Sequence, residues 1–347
     1  MKKCSYSAIL VALSGVLVIA LVLSVTLGRY PIGMRELVGI LAQRGVSLLE
    51  KLGLHGLQVE QTWTSTQASL LLYHRIPRVV LACLVGCCLS GAGASYQGVF
   101  QNPMASPDLL GASSGAAFGA ALAILLGGSG LTVMLSAFCF SLLTVALVMF
   151  VGNRARGRRV VGLILAGIMI GSLVSSGTSF IKLVADPNDQ LPAITYWLMG
   201  SLNGTAPRDV LYALLPMAVG IVGLHLLRWR INLLTLGDEE ARTMGVNVKR
   251  LRGAVIFCAT LITAASVSAS GMIGWVGLVI PHLGRKLVGD NYKHLMPTSM
   301  LLGALFLLLV DDVSRNLLAV EIPIGILTSF LGAPFFLYLI TKEGELL

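Results

Sequence analysis

Residues 73–94 read YHRIPRVVLACLVGCCLSGAGA: two arginines around a proline, then a run with no charge at all. A helix that crosses a hydrocarbon layer about 30 Å thick takes about 20 apolar residues, and the run from Val79 to Gln97 meets that requirement. Proline suits the first turn of such a helix, and an arginine stem can lie along apolar surface while its charge reaches the interface. The stretch therefore reads as the mouth of a membrane span, with charges that a plain helix end does not need.

The rest of the chain repeats the pattern. Of its 347 residues, 56% are hydrophobic and 12% are charged, and the mean hydropathy is +0.85. A soluble fold carries about a quarter charged residues, so this composition belongs to an all-α polytopic membrane protein. Apolar runs occur at about 8–27, 79–97, 110–127, 130–151, 160–183, 209–227, 251–270, 272–288, 296–318 and 324–341, which predicts ten transmembrane helices in a single domain spanning 1–347. The first run follows Lys2 and Lys3 as in a signal peptide, but it has span length and no clear small-x-small cleavage site, so it reads as the first span.

Net charge +9 is a matter of sidedness here and not of nucleic acid, because membrane proteins collect Lys and Arg in their cytoplasmic loops. The most basic connections, residues 153–159 and 228–252, fall on the side of the N-terminus, which predicts cytoplasmic termini. Arg75 and Arg78 then lie on the outer side, against that bias. So does Arg315, which shares the end of the ninth run with Asp311 and Asp312. Charges inside spans mark a pathway, a partner or an internal pair. The outer segment 28–74 places Leu37, Val38, Leu41, Leu48, Leu49 and Leu52 at helical spacing between charges, predicting amphipathic helices on the membrane or bundle surface, followed by a polar stretch, residues 53–67.

Small residues recur at spacing four: Gly111, Gly115 and Gly119, and again Gly167 and Gly171. Such faces let helix backbones approach closely. The six cysteines lie in or beside apolar runs without a CxxC pair and read as packing residues. The dipeptide Gly-Lys never occurs, so the chain has no nucleotide-binding P-loop, and HExxH and GxSxG are absent as well. No catalytic residue, metal ligand or cofactor site is predicted. Transport remains.

The segment LTLGDEEARTMGVNVKRLR, residues 234–252, is unlike a solvated linker. Asp238, Glu239 and Glu240 follow Gly237 where a helix N-terminus favours negative charge, and Gly245 can end that helix. Ala241, Met244 and Val248 give it an apolar side, as a docking knob for a cytoplasmic partner would have.

These stretches together resemble the FecCD-like permease family of type II ABC importers, which take up iron-siderophores, haem and cobalamin. The similarity rests on RIPRVVLACLVGCCLSGAGASYQGVFQNPMASPDLLGASSGAAFG, LILAG, YWLMGSL, LGDEEARTMGV, GMIGWVGLVIPHLGRKLVG and VEIPIGILTSFLGAPFFLYLI, in the family's order from residue 75 to 340. The resemblance implies a cobalamin-permease-like fold of ten helices. It also implies a second permease copy, identical or paralogous, two separate ABC ATPase subunits that use the ATP, and an extracytoplasmic binding protein. By the same resemblance, Arg75, Arg78 and Arg315 face the binding protein. Leu236, Gly237, Asp238, Glu239, Glu240, Ala241, Arg242, Met244 and Gly245 couple to the ATPase within the 228–252 segment. Asn102, Pro103 and Met104, with Val160 and Val161, form the cytoplasmic gate; the valines match less closely, since small hydroxylated residues can stand there. The extended outer loop, residues 44–74, is longer than in comparable members. The cargo this implies is a metal chelate, with ferric siderophore first, haem or cobalamin next and an oxyanion such as molybdate as the alternative. A different class, an ion-coupled transporter titrating Asp311 and Asp312, is the rival reading.

Overall fold

The computed structural model describes residues 6–28, 30–51, 60–154 and 159–343. Every regular element within them is helical: α1 (Tyr6–Thr26), α2 (Met34–Lys51), α3 (Ser65–Leu70), α4 (Ile76–Phe100), α5 (Ala112–Leu125), α6 (Gly130–Gly152), α7 (Arg159–Val184), α8 (Gln190–Met199), α9 (Pro207–Thr235), α10 (Asp238–Thr243), α11 (Val248–Ser270), α12 (Val276–Val288), α13 (Tyr292–Asn316) and α14 (Ile324–Glu343). Seven helices among the described residues are long and apolar enough to cross a membrane, and two shorter apolar ones cover Ala112–Leu125 and Ile324–Tyr338.

α4 is the axis of the bundle. Its apolar sequence is buried nearly all round, as expected of a helix with no polar face, and α9, α11, α12 and α13 pack against it. Small residues set the spacing. A Cβ on Gly86 would collide with the Gly303 carbonyl of α13, and one on Gly93 with the Gly277 carbonyl of α12. The predicted glycine face of α5 behaves in the same way: a Cβ on Gly115 would stand 2.6 Å from the Phe140 carbonyl of α6, and one on Gly119 2.5 Å from that of Ser136.

Several runs differ from their predicted bounds, for local reasons. The helical path that ends as α4 begins much earlier, at Ser65, where Thr64 and Gln67 form a reciprocal cap. Residues 71–75 then make one wide π turn, with the Ile76 N–H donating to the Leu71 carbonyl five residues back. Pro77 follows directly. A proline has no N–H to donate and its ring crowds the carbonyl four residues before it, here Tyr73, so a widened turn at this point removes the clash. The run expected from 272 becomes helical only at Val276, because Gly271 and Trp275 both take positive φ, 69° in each case. Residues 184–208, read as a plain connection, contain α8.

The 28–74 segment does carry the predicted amphipathic helix. In α2, Leu37 and Ile40 are buried with Ile32 and Leu71, against Val22, Val25 and Trp63, whereas Val38 and Leu41 are exposed. The buried stripe is thus one step out of phase with part of the predicted one and docks on α1. The side chains of Leu48 and Leu49, together with residues 52–59, lie outside the described ones.

Candidate functional site

Chemistry gathers at the two ends of the bundle. At one end Arg75, Arg78 and Arg315 do come together, around a cavity of about 240 Å³ lined also by Gly28, Tyr30, His74 and Glu321. All three are buried. Arg78 Nε donates to Asp311 Oδ1 at 2.9 Å, and its Nη1 donates to both Glu321 carboxylate oxygens at 2.9 Å. Arg315 Nη2 donates to the Ser24 carbonyl at 2.6 Å and pairs with Asp312, whose carboxylate also accepts from the Ser24 hydroxyl at 2.7 Å. Arg75 Nη1 donates to the Val25 carbonyl at 2.9 Å and to that of Thr26 at 3.1 Å. The guanidinium lies so close to residue 28 that a Cβ there would stand 2.6 Å from Arg75 Nη2, which makes Gly28 part of the arrangement.

Arg78 and Arg315 thus meet three carboxylates while Arg75 is held by main-chain carbonyls, and α1, α13, the 317–323 turn and the start of α4 are tied by them. The sequence reading had the arginines facing outward; their guanidinium groups are engaged inside the chain. Glu321 and Ser24 escaped that reading: Glu321 lies in the VEIPIG stretch but was given no role there, and Ser24 sits in no recognisable pattern. Asp311 is fully buried against Arg78, and Asp312 is held by Arg315 and Ser24, so both carboxylates of the ion-coupled alternative have fixed cationic or hydroxyl partners.

At the opposite end, residues 228–235 complete α9 and 248–252 open α11, leaving only 236–247 between them. That correction to the predicted 228–252 unit follows from helix continuity through HLLRWRINLLT. α10 has the predicted acidic first turn, Asp238, Glu239 and Glu240, and Arg242 in its last. Gly237 and Gly245 bracket it with φ of 119° and 77°, and the Gly245 N–H closes the helix on the Arg242 carbonyl at 2.9 Å. Two anchors fix it. Ala241 is completely buried, and Arg252 Nη2, on a side chain 2% exposed, donates to Asp238 Oδ1 at 2.6 Å. With the helix held from below, Leu236 and Met244 are turned outward, 52% and 59% exposed.

Asn102, Pro103 and Met104 lie in the turn after α4 at this same end. Gln101 caps α4 in the left-handed conformation, φ 51°, and donates to the Leu234 carbonyl at 2.6 Å. Asn102 Oδ1 accepts from the Met104 N–H at 2.8 Å. The three residues line a cavity of about 630 Å³ shared with Thr235, α12 and Phe336. Val160 is half-buried against the main core and Val161 is exposed, and neither belongs to that cavity's lining.

A further cavity of about 730 Å³ lies between the 107–114 segment, the end of α8, residues 272–274 and α14. Asp108 faces it and accepts a hydrogen bond from Ser113. No cluster of potential metal ligands occurs among the described residues.

A multi-pass helical bundle thus carries an ionic brace at one end and, at the other, a short anchored helix beside a cavity, an architecture that suits a membrane transport subunit. Residues 16–342 match the FecCD transport family, and the chain belongs to it. It is 38% identical to the molybdate import system permease protein of Haemophilus influenzae over 99% of this chain and 98% of that one. It is 42% identical to an iron chelatin transport system permease protein of Helicobacter pylori over 80% of this chain and 84% of that one. A solved inward-facing structure of a metal-chelate type ABC transporter superposes with a TM-score of 0.84 at 37% identity, covering 97% of this chain and 99% of that one.

Proposed function

We propose that this chain is the membrane permease of a binding-protein-dependent ABC importer whose cargo is a metal chelate, ferric siderophore first. The observation that carries the importer reading is the anchored helix α10, which presents Leu236 and Met244 as an apolar knob on a base fixed by Ala241 and the Asp238–Arg252 pair. Two such knobs, one from each of two permease copies, would each seat in a cytoplasmic ATPase subunit. ATP-driven closure then moves residues 236–247, and with them α9 and α11, so that cargo passes between the copies by alternating access. Each state is favoured only by what nucleotide or binding protein gains from it.

In this reading the ten predicted spans cross an inner membrane with the α10 end in the cytoplasm, where Asn102, Pro103 and Met104, with Val160 and Val161 from the partner-facing helix α7, form the gate. The binding protein docks at the arginine end. Because Arg75, Arg78 and Arg315 are all already engaged, its acidic groups dock by competing with Asp311, Asp312 and Glu321 for Arg78 and Arg315, and with main-chain carbonyls for Arg75. A second cargo, molybdate, is favoured by the relative that aligns along 99% of the chain, outer segment included.

Reconstitution of the permease with its ATPase and binding protein into liposomes tests both. ATP-dependent uptake of ⁵⁵Fe-siderophore is the expected result, and uptake of ⁹⁹Mo-molybdate in its place selects the second cargo. Uptake that persists without the ATPase and follows an ion gradient would overturn the importer reading.

A further inference from the structure

Two cavities adjoin along the flank of α9, in the half of the bundle away from α10. One, of about 470 Å³, lies at the helix ends and is polar: Ser201, Asn203, Thr205, Arg208 and Ser270 line it. The other, of about 380 Å³, lies deeper, as a groove between α6, α9 and α11 walled by Phe138, Leu215, Val219 and Leu261. Met134 and Ser268 line both, so the two are continuous. Leu135, Leu215 and Val219 in the groove wall are exposed. The groove therefore opens sideways from helices that cross the membrane, onto hydrocarbon.

A polar mouth above an apolar groove has the two-part chemistry of a membrane lipid, and its depth agrees. Arg208, Tyr212, Leu215 and Val219 follow one another at helical spacing on one face of α9. From Arg208 to Val219 the helix rises about 16 Å, half of a hydrocarbon core about 30 Å thick. Cation, tyrosine and aliphatic side chains thus succeed one another over the depth of one leaflet, the order of headgroup, interface and acyl chain. The cation is accessible: the Arg208 side chain is 79% exposed, and its Nε stands 3.9 Å from Asp209. Asp209 itself is tied to the start of α9, its Oδ2 accepting from the Ala206 N–H at 2.9 Å. A packed helix with its side chains is about 10 Å across, too broad for this groove, whereas a single acyl chain is slender enough to enter it.

We propose that the two cavities form one phospholipid site, with the phosphate on Arg208 and an acyl chain running down between α6, α9 and α11. The phosphate accepts a charge-assisted hydrogen bond from the guanidinium, and methylene groups laid against the groove supply the rest of the binding. The occupant belongs to the leaflet away from α10. It braces α9, whose other end leads into α10, against α6 and α11. The site rests on the membrane-spanning fold and depends on neither the cargo nor the ATPase.

The full chain, purified in mild detergent with residual lipid exchanged away, is to be titrated with dioleoyl phosphatidylglycerol and separately with dioleoylglycerol, which has the same chains and no phosphate. Native mass spectrometry counts the lipid retained. The parent should bind phosphatidylglycerol about fivefold more tightly than dioleoylglycerol, as one partly solvated charge pair provides. Arg208→Gln should lose that preference and bind dioleoylglycerol as the parent does. The double variant Leu215→Trp and Val219→Trp narrows the groove and should weaken both lipids by about tenfold, the worth of about two buried methylene groups. All three positions are exposed, so the variants should fold, with thermal unfolding as the check. No retained lipid in the parent, an unchanged preference in Arg208→Gln, or unchanged binding of both lipids in the double variant would overturn the proposal. Cross-linking of Leu215→Cys to a second chain in membranes, which would put protein on this face, would overturn it too.

Discussion

The two ends of this bundle handle charge in opposite ways. Around Arg78 the chain turns two arginines towards three carboxylates and holds a third, Arg75, on main-chain carbonyls, with all three arginines and Asp311 buried. Around Gly237 it spends one part-buried ion pair, Asp238–Arg252, on holding a short helix flanked by the outward-facing Leu236 and Met244. The first arrangement fixes relative positions within the chain; the second prepares a surface for something outside it. An arginine in a membrane-protein sequence is therefore read by where its partner lies, and neither hydropathy nor sidedness supplies that.

The contrast is open to direct attack, most strongly at Arg78. Arg78→Ala strands Asp311, which is 0% exposed, and Glu321, so thermal unfolding in detergent should register a loss of about 3–5 kcal/mol. A loss below about 1 kcal/mol would mean that the cluster is hydrated and does not brace the chain. Asp238→Ala at the other end strands Arg252, but the lost carboxylate is 38% exposed and water can partly replace it. The expected cost is about 2 kcal/mol, together with poorer coupling of ATP hydrolysis to transport.

Leu236→Ser and Met244→Ser should separate the two ends most clearly. Both side chains are exposed, so stability should stay within about 0.5 kcal/mol, while co-purification of the ATPase subunit falls by about tenfold. Equal ATPase capture by the double variant would remove the knob from the coupling scheme.

Much of this was legible in the sequence, because hydropathy and small-residue spacing act locally. The apolar runs located the long helices, and Gly115 and Gly119 marked a close helix contact from their spacing alone. The acidic start of α10 and its end at Gly245 followed from capping rules. What the sequence hid depends on distant pairing. Arg78 meets carboxylates more than two hundred positions away, and no local pattern distinguishes an arginine waiting for an outside acid from one that already has two. α8 was hidden because its ten residues are too few to announce a span. The start of α12 was displaced because a left-handed Trp275 has no sequence signature.

The contacts of α4 with Gly303 and Gly277 set a mechanical condition on any movement of this protein. A junction in which main chain rests on main chain contains no rotamers to rearrange and hence no slack. Advancing one helix along another by a single residue, about 1.5 Å, would drive a carbonyl into a neighbouring Cβ. The centre of the bundle must then travel as a stiff spindle, with bending and sliding confined to the elements around it. Gly86 and Gly93, which bear no chemistry at all, decide which parts of the machine are free to move.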